Sequence, residues 1–212
     1  MRVIAIDGPA GAGKSSIAKA LAARLGLDYL DTGAMYRAVT FAAMHRGIAV
    51  DDLPAVGALA REVTLEVGEH GVLVDGLDAT TAIRSSEVTA AVSAVAANSE
   101  VRAELRARQR EWARHRGGGV IEGRDIGSVV FPDATLKLYL TASPRVRAER
   151  RVAEAGGDVE EIERAIAVRD AKDSSRADSP LQEADGSQVV DTTGLNIEEV
   201  LAAIEGLLEE SA

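Results

Sequence analysis

The sequence contains no cysteine, so it can form neither a disulfide bond nor a thiolate metal site. It also lacks any run of about 20 apolar residues, the length that a membrane-spanning helix requires. Residues 1–14 hold only a short β-branched run, which is typical of a buried first strand and not of a secretory signal peptide. We therefore expect a cytoplasmic protein without a membrane partner.

An excess of positive charge is missing as well. The chain has 24 lysine and arginine residues against 34 aspartate and glutamate residues, for a formal net charge of −10. This balance disfavours nonspecific nucleic-acid binding, which depends on a basic surface. Of the basic residues, 20 are arginine and four are lysine. GC-rich codons can produce this bias, but guanidinium groups also suit bidentate phosphate binding, so the positions of the arginines matter.

The length of 212 residues is sufficient for one α/β domain, residues 1–212, with a small insertion. Short apolar runs alternate with amphipathic helical patterns, which is typical of βαβ units and a parallel sheet. Five strands are predicted near residues 3–6, 29–30, 120–121, 136–140 and 188–193. Helices are predicted near residues 14–25, 34–45, 144–154 and 159–169, with a last helix that begins after an Asn196 N-cap.

Residues 63–84 interrupt this alternation. They alternate apolar and polar side chains with glycine at the turns, which predicts a small antiparallel sheet inserted beside the main sheet. Residues 87–116 follow with a long helical pattern that we expect to break or bend near Asn98 and Ser99. Nothing in this part of the chain indicates a particular chemistry.

The segment GPAGAGKSS matches the phosphate-binding pattern G-x-x-x-x-G-K-[ST]. Its glycines allow backbone N–H groups to approach a phosphate chain, and the N-terminus of the following helix adds partial positive charge. In this pattern the lysine reaches the β and γ phosphates, and the serine hydroxyl can ligate Mg²⁺. A buried strand precedes the segment and a helix follows it. We therefore predict a site for ATP and Mg²⁺, the metal on Ser15, formed by Gly8, Pro9, Ala10, Gly11, Ala12, Gly13, Lys14, Ser15 and Ser16.

The rest of the sequence narrows the class of nucleotide-binding protein. A switch GTPase would need an N-K-x-D base-reading motif, and the sequence has no Asn-Lys pair. A motor or transporter ATPase would be larger or part of an assembly. A small-molecule kinase is therefore the favoured class.

A first polar cluster, DTGAMYR, follows the second strand at the edge where α/β sheets hold ligands. Thr32 and Tyr36 offer hydroxyl groups and Arg37 offers a planar cation. The alternative is a capped helix start, with Asp31 or Thr32 as the N-cap, and capping and binding are compatible.

A second cluster, EGRDIGS, follows the third predicted strand. Its Arg124–Asp125 pair is either a local ion pair or a phosphate ligand beside a residue that reads a base. The sequence of the cluster does not decide between these interpretations.

A third cluster, SPRVRAERR, places Arg147, Arg150 and Arg151 at spacings that can share one helix face. A solvated basic face is the usual interpretation of such a pattern. A glycine-containing segment follows, however, and an arginine-bearing helix that ends in a hinge suits a lid over a reacting phosphoryl group.

A fourth cluster lies in RDAKDSSRADSPL. Arg169, Asp173 and Arg176 are spaced i, i+4 and i+7, so they project from one helix face if the helix continues that far. Two arginines around one aspartate suit a phosphate and ribose site better than a simple surface pair, which contributes less than about 1 kcal/mol.

Taken together, the sequence resembles the bacterial cytidylate kinases over nearly its whole length. The resemblance rests on GPAGAGKSS, DTGAMYR, VDGLDATTAIRSSEV, VSAVAANSEVRAELRARQR, EGRDIGSVVFPDATLKLYLTASPRVRAERR, RDAKDSSRADSPL and VVDTTGLNIEEV, which occur in the order of that family. Ser128 stands where the family pattern leads us to expect threonine, and Thr32 where some members carry serine; both keep a hydroxyl group.

The resemblance implies a nucleoside monophosphate kinase fold with a five-stranded parallel sheet and helices on both faces. It implies transfer of the γ-phosphoryl group of ATP to CMP or dCMP, as part of pyrimidine nucleotide metabolism, by a monomer. Within the single domain it implies a monophosphate-binding insertion over residues 48–92, which contains the small antiparallel sheet, and a short lid over residues 152–162.

The resemblance also implies roles for individual residues. Cytosine would be read by Thr32, Ser93, Arg102 and Asp125. The ribose would be held by Arg169 and Asp173, with Tyr36 nearby. The monophosphate would be bound by Arg37, Arg124 and Arg176. The catalytic groups would be Lys14, Arg124, Arg147, Arg150 and Arg151.

Two other functions remain to be compared with this one. A related monophosphate kinase could accept UMP or AMP, although uracil would present an acceptor where cytosine presents its amino group to Asp125. A non-catalytic regulator that closes on ATP is a second alternative, and the intact Lys14, Ser15 and arginine set argues against it.

Overall fold

The computed structural model describes residues 1–68 and 71–210. The prediction for residues 63–84 therefore includes two positions, Glu69 and His70, that lie outside the described residues. In chain order the elements are β1 (Arg2–Asp7), α1 (Lys14–Leu25), β2 (Tyr29–Asp31), α2 (Thr32–His45), α3 (Leu53–Glu62), β3 (Leu65–Gly68), β4 (Gly71–Val74), β5 (Leu77–Asp78), α4 (Ser86–Ala97), α5 (Ser99–Arg116), β6 (Gly118–Glu122), β7 (Leu136–Thr141), α6 (Pro144–Ala155), α7 (Val159–Ser174), β8 (Gln188–Asp191) and α8 (Ile197–Glu210). A short 3₁₀ helix covers Ala82–Arg84, and a π-helical turn covers Ile126–Val130.

The main sheet has five strands in the order β2-β6-β1-β7-β8. The β1 strand lies at its centre and pairs in parallel with β6 and β7, with Ile4 opposite Val120 and Leu136. Parallel neighbours require crossover connections, and helices supply them along this chain. The predicted five-stranded parallel sheet with flanking helices is therefore confirmed.

The central strands β1 and β6 are buried almost along their whole length, as expected where helices cover both faces of a sheet, whereas β8 is mostly exposed. All but the first residue of β1 are buried. The core around Ile4 and Ile6 includes Leu21 from α1, Leu138 from β7 and Leu201 from α8. This packing holds the carboxyl end of β1, and so the start of the phosphate-binding loop, against the sheet.

The chain divides into two compact units. The first comprises Met1–Tyr29 and Arg116–Ala212, and it contains the phosphate-binding loop. The second comprises Leu30–His115. Among the residues that the structure describes, none of the helices combines the length and the apolar character that a bilayer crossing requires.

The second unit contains the small antiparallel sheet predicted for residues 63–84. Its strand order is β3-β4-β5, with Leu65 opposite Val74 and Leu73 opposite Asp78. The predicted break in the long helical pattern is also present, because α4 ends at Ala97 and α5 begins at Ser99. At the break, Asn98 accepts a hydrogen bond from the Glu100 backbone N–H at 3.0 Å.

Helix α3 is an element that the sequence analysis did not predict. Its start carries a capping signal, since the Asp52 side chain accepts a hydrogen bond from the Ala55 backbone N–H at 3.2 Å and proline follows in the first turn. Gly57 interrupts the pattern for a packing reason: a Cβ atom there would lie 2.5 Å from the Glu100 carboxylate.

Two helix ends follow local chemistry. The predicted Asn196 cap is present as a reciprocal pair, in which Asn196 accepts from the Glu199 N–H at 3.0 Å and Glu199 accepts from the Asn196 N–H at 2.8 Å. Helix α7 extends to Ser174, beyond the predicted end at Arg169, and so includes Asp173.

Candidate active site

The phosphate-binding loop, residues 8–16, joins β1 to α1 in the first unit. Gly8 has φ +145°, and a Cβ atom there would lie 2.0 Å from the Leu140 carbonyl oxygen on β7. Gly13 caps α1 in the left-handed region, with φ 84°. Side chains are excluded at these positions, so the loop backbone stays accessible at the N-terminus of α1, where N–H groups and the helix dipole favour an anion.

Lys14 is buried at the start of α1, and its Nζ donates a hydrogen bond to the Pro9 carbonyl oxygen at 2.7 Å. Burial, together with the positive charges of Arg124 and Arg169, lowers the pKa of Lys14 to about 7, although the charge of Glu122 opposes the shift. Three cations therefore lie close enough to interact in the first unit. A polyphosphate bound among them would relieve their repulsion.

Arg124, Asp173 and Arg176 form a second group in this unit. Asp173 is 2% exposed and accepts hydrogen bonds from Arg124 Nε at 3.0 Å and from the Arg176 guanidinium. Arg169 Nε lies 4.0 Å from the same carboxylate. Burial acts to raise the pKa of Asp173, but the charges of Arg124, Arg176 and Arg169 outweigh it and lower the pKa.

The structure thus brings together the four predicted residues Arg124, Arg169, Asp173 and Arg176, but not on one continuous helix face. Helix α7 ends at Ser174, and Arg176 returns to Asp173 from the segment that follows. The i, i+4, i+7 interpretation was therefore correct for Arg169 and Asp173 and wrong for Arg176. The local turn that follows the helix, and not helical spacing, places the second arginine on this carboxylate three residues before it.

Arg147, on α6, contacts the phosphate-binding loop directly. Its Nη1 donates to the Ala10 carbonyl oxygen at 3.0 Å and also to the Asp170 carboxylate. Asp170 in turn accepts from the Ala10 backbone N–H at 3.1 Å. The backbone N–H and the carbonyl oxygen of Ala10 are therefore both held by an ion pair between α6 and α7.

Arg150, one turn further along α6, is attached to the end of β8. Its Nη1 and Nη2 donate to the hydroxyl and the carbonyl oxygen of Thr192, at 2.9 and 2.8 Å. The Thr192 hydroxyl lies 3.0 Å from the Thr141 carbonyl oxygen and 3.3 Å from that of Ala12. Arg151 instead pairs with Glu154 at 3.1 Å, with both side chains solvent-accessible.

The second unit carries the remaining predicted residues. Arg102 is 1% exposed, donates to the Ala96 carbonyl oxygen at 3.0 Å and places its guanidinium 5.5 Å from the centre of the Tyr36 ring. Arg37 donates to the Thr89 hydroxyl at 2.8 Å. Buried Thr32 begins α2, and half-buried Ser93 lies on α4, which packs against α2.

The capping interpretation of DTGAMYR is correct for Asp31. Its carboxylate accepts from the Ala34 backbone N–H at 2.8 Å, and Thr32 is already the first helical residue. This cap aligns Thr32 and Tyr36 one turn apart on α2. Capping therefore sets the orientation of the hydroxyl groups that the sequence analysis assigned to binding.

Four polar residues of the first unit were not singled out from the sequence. Asp7 accepts two backbone hydrogen bonds at the end of β1, and buried Glu122 accepts from the Tyr29 hydroxyl at the end of β6. Asp170 and Thr192 act on the loop as described above. Only the positions of Asp7 and Glu122, at the ends of apolar runs beside glycine, give a signal in the sequence.

Comparisons with known proteins agree on one family. The cytidylate kinase family matches residues 4–210 of the chain. A cytidylate kinase of Exiguobacterium sp. is 49% identical over 98% of this chain and 96% of its own length. A cytidylate kinase of Streptomyces avermitilis is 48% identical over 98% of this chain and 93% of its own length. A Mycobacterium leprae cytidylate kinase is 46% identical over 98% of this chain and 96% of its own length.

Solved structures agree on the fold. The shikimate kinase of Acinetobacter baumannii, in complex with shikimate, matches with a TM-score of 0.53 at 13% identity and covers 99% of this chain and 94% of its own. A sugar kinase from Janibacter sp. matches with a TM-score of 0.52 at 14% identity and covers 99% and 95%. At such low identity these likenesses establish the P-loop kinase fold alone.

The phosphate-binding loop and its buried cations agree with this result, and the matched residues leave out only the ends of the chain. A kinase of this fold is a phosphotransferase, and the substrates that the relatives' names imply are nucleotides. The protein belongs to the cytidylate kinase family.

Proposed function

We propose that the protein transfers the γ-phosphoryl group of ATP to CMP or dCMP in a Mg²⁺-dependent reaction that yields ADP and CDP or dCDP. The observation that carries this proposal is the group of interacting cations formed by buried Lys14 with Arg124 and Arg169, in a chain that matches the family over residues 4–210. Cations that repel one another at a glycine-rich loop are suited to a polyphosphate and to little else.

For ATP, we propose that the backbone of residues 8–16 holds the phosphates and that Lys14 neutralises them. Arg147 contacts this loop at Ala10, and Arg150 contacts Thr192 at the end of β8. These contacts support a role for both arginines at the transferring phosphoryl group. Arg151 stays in the proposal through the family resemblance, although its contact in the structure is with Glu154.

For the acceptor, we propose three groups of residues. Arg124, Arg176 and Arg37 bind the monophosphate. Asp173 and Arg169 bind the ribose hydroxyls, with Tyr36 nearby. The cytosine is read by Thr32, Ser93, Arg102 and Asp125. The contacts of Asp173 with Arg124 and Arg176 support the first two assignments, because the pairing keeps both guanidinium groups ordered before a ligand arrives.

The proposed chemistry requires no general base. The attacking oxygen belongs to a monophosphate that is already ionised at neutral pH. Catalysis then depends on holding the two phosphates in line and on neutralising the charge that gathers between them. Lys14, Arg124 and the α6 arginines are fixed donors suited to that task.

Mg²⁺ fits the residues present. Within the described part of the chain, no group of three or more histidine, aspartate or glutamate side chains forms a metal cage. Mg²⁺ at kinase sites does not need one, because substrate phosphates and waters supply most of its ligands. Ser15 is exposed in the first turn of α1 and would hold the ion with the phosphates. When bound, Mg²⁺ would supply positive charge that neutralises the phosphates.

The choice of base follows from hydrogen bonding. Cytosine presents an N4 amino donor, which suits the buried carboxylate of Asp125. Uracil presents O4 there, so a carboxylate would face an acceptor. A buried carboxylate that loses its donor costs about 1–3 kcal/mol, or about 10- to 100-fold in kcat/KM against UMP.

We further propose that residues 48–92 form the monophosphate-binding insertion and residues 152–162 the lid of a single functional domain. Residues 156–158 separate α6 from α7, and Gly156 has φ 73°, which supports a hinge there. We propose that the protein acts as a monomer in the cytoplasm, where ATP and CMP are available.

A coupled ADP-release assay with ATP, Mg²⁺ and each of CMP, dCMP, UMP and AMP tests the proposal. We expect turnover with CMP and dCMP, and Asp125→Ala should raise KM for CMP without a comparable change in KM for ATP. Preference for UMP or AMP would identify another monophosphate kinase. ADP release no faster than the ATPase background with all four acceptors would favour the non-catalytic regulator.

A further inference from the structure

Asp7 is a buried carboxylate to which the proposed mechanism gives no role. It is the last residue of β1, directly before Gly8 of the phosphate-binding loop, and it is 3% exposed. Its Oδ1 accepts a hydrogen bond from the Ile126 backbone N–H at 2.9 Å, and its Oδ2 accepts from the Gly127 N–H at 2.7 Å. Both oxygens therefore hold the turn that follows Asp125.

The segment before this turn is also attached to the end of β1. The Gly123 backbone N–H donates to the Ile6 carbonyl oxygen at 2.9 Å. The dipeptide Arg124–Asp125 is thus held on both sides, by the β1 backbone before it and by the Asp7 side chain after it. Asp7 therefore helps to fix the backbone from which the side chains of Arg124 and Asp125 project.

Retaining a charge in this position is costly. Burial, with a smaller contribution from the Asp125 charge, raises the pKa of Asp7 to about 6, although the two backbone N–H groups and Lys14 oppose the rise. At neutral pH the group is ionised in spite of its burial. A neutral side chain would avoid this cost. The role of the carboxylate therefore lies in the two backbone hydrogen bonds that its oxygens accept.

We propose that Asp7 is a positioning residue for the acceptor nucleotide, which orients Arg124 and Asp125 by holding the backbone of residues 126–127. This inference rests on the proposed roles of Arg124 and Asp125 in binding the monophosphate and the cytosine. A carboxylate is required because two N–H donors converge on one side chain. An asparagine would offer one oxygen and would turn its NH₂ group toward the other donor.

The variant Asp7→Asn tests the inference, because it preserves size and removes one acceptor. We would measure Kd for CMP and for a non-hydrolysable ATP analogue with Mg²⁺ by calorimetry, and KM and kcat in the coupled assay. A misplaced binding group costs on the order of tenfold or more, so we expect Kd and KM for CMP to rise at least about tenfold. Kd for the ATP analogue and KM for ATP should change less than about threefold, because the backbone pairing of Asp7 with Tyr139 still holds the start of the phosphate-binding loop.

Glu199→Gln is the matched control. Glu199 accepts a backbone hydrogen bond from the Asn196 N–H at 2.8 Å, but it is exposed and its helix, α8, carries none of the proposed binding residues. This variant should bind CMP and ATP as the parent protein does. Near-UV circular dichroism of all variants, recorded without nucleotide, shows whether Asp7→Asn keeps its packed fold.

Arg124→Ala and Asp125→Ala, measured in parallel, separate the two levels of the proposal. If both weaken CMP binding and Asp7→Asn does not, Asp7 has no positioning role although the proposed function stands. If neither weakens CMP binding, the assignment of Arg124 and Asp125 is wrong and the inference falls with it. Equal losses for CMP and ATP in Asp7→Asn would also overturn the inference, because they would indicate general support of the sheet.

Discussion

Replacing Asp7 with asparagine should remove the pH dependence of stability that this one buried carboxyl group creates between pH 4 and pH 7. Its pKa is raised from the ordinary 3.8 to about 6, chiefly by burial. The folded state therefore binds the proton more tightly than the unfolded chain does. The stabilising contribution is complete below pH 3.8, declines as the pH rises, and is lost above about pH 6.

The size of this effect follows from the same two values. At about 1.4 kcal/mol for each pH unit between them, ionisation of Asp7 lowers the free energy of unfolding by about 3 kcal/mol in total. The asparagine variant has no proton to lose there. Because part of this change falls below pH 4, the difference in unfolding free energy, parent minus variant, should fall by about 2.4 kcal/mol between pH 4 and pH 7.

The assay is urea unfolding of both proteins at pH 4, 5, 6 and 7, followed by circular dichroism. Using the difference between the two proteins cancels the titration of the groups that do not interact with Asp7. Asp78→Asn is the control for this assay. Hydrogen bonds from Thr80 lower the pKa of Asp78 below its ordinary 3.8, so its contribution changes only below about pH 4 and the parent-minus-variant difference should stay nearly constant from pH 4 to pH 7. A parent-minus-variant difference for Asp7→Asn that stays constant or rises across this pH range would refute the reasoning.

Two further predictions concern other buried contacts of the first unit. Asp173→Asn leaves Arg124 and Arg176 without their shared counter-ion, so we expect a loss of about 3 kcal/mol in unfolding free energy at pH 7. Because the pKa of Asp173 is lowered, this loss should shrink as the pH falls below about 4. Urea unfolding of parent and variant at pH 7 and again below pH 4 measures the change. Thr192→Val removes the hydroxyl that accepts from Arg150, and should lower kcat by about tenfold, whereas Thr192→Ser should restore it. Equal kinetics for the two Thr192 variants would contradict that role.

Much of the first unit could be predicted because its signals are local. The β1 strand, the glycine-rich loop and α1 follow one another within 25 residues, and each has a pattern that its neighbours support. The Asn196 cap and the break at Asn98 were predictable for the same reason, since side chain and backbone partner lie two or three residues apart.

Helix α3 was not predicted from the sequence, although part of its signal is local. Asp52 and the following proline are a start signal, but Gly57 weakens the helical pattern. The reason for Gly57 is Glu100, which lies more than 40 residues away and leaves no room for a Cβ atom. A residue whose identity is set by such a distant neighbour cannot be interpreted from its own surroundings.

By itself, the sequence determined the fold class, the phosphate-binding loop and the family, because these depend on residues whose order and spacing carry the information. Only the tertiary structure decided which charges meet. It paired Arg147 with Asp170 beside Ala10, brought Arg124 to Asp173, and placed the Asp7 carboxylate on the turn at residues 126–127. The physical reason is that these bonds form between segments that parallel β-strands and their crossover helices bring together, up to 160 residues apart in the chain. Ion pairs and buried hydrogen bonds depend on that distance in space, which no local pattern of residues encodes.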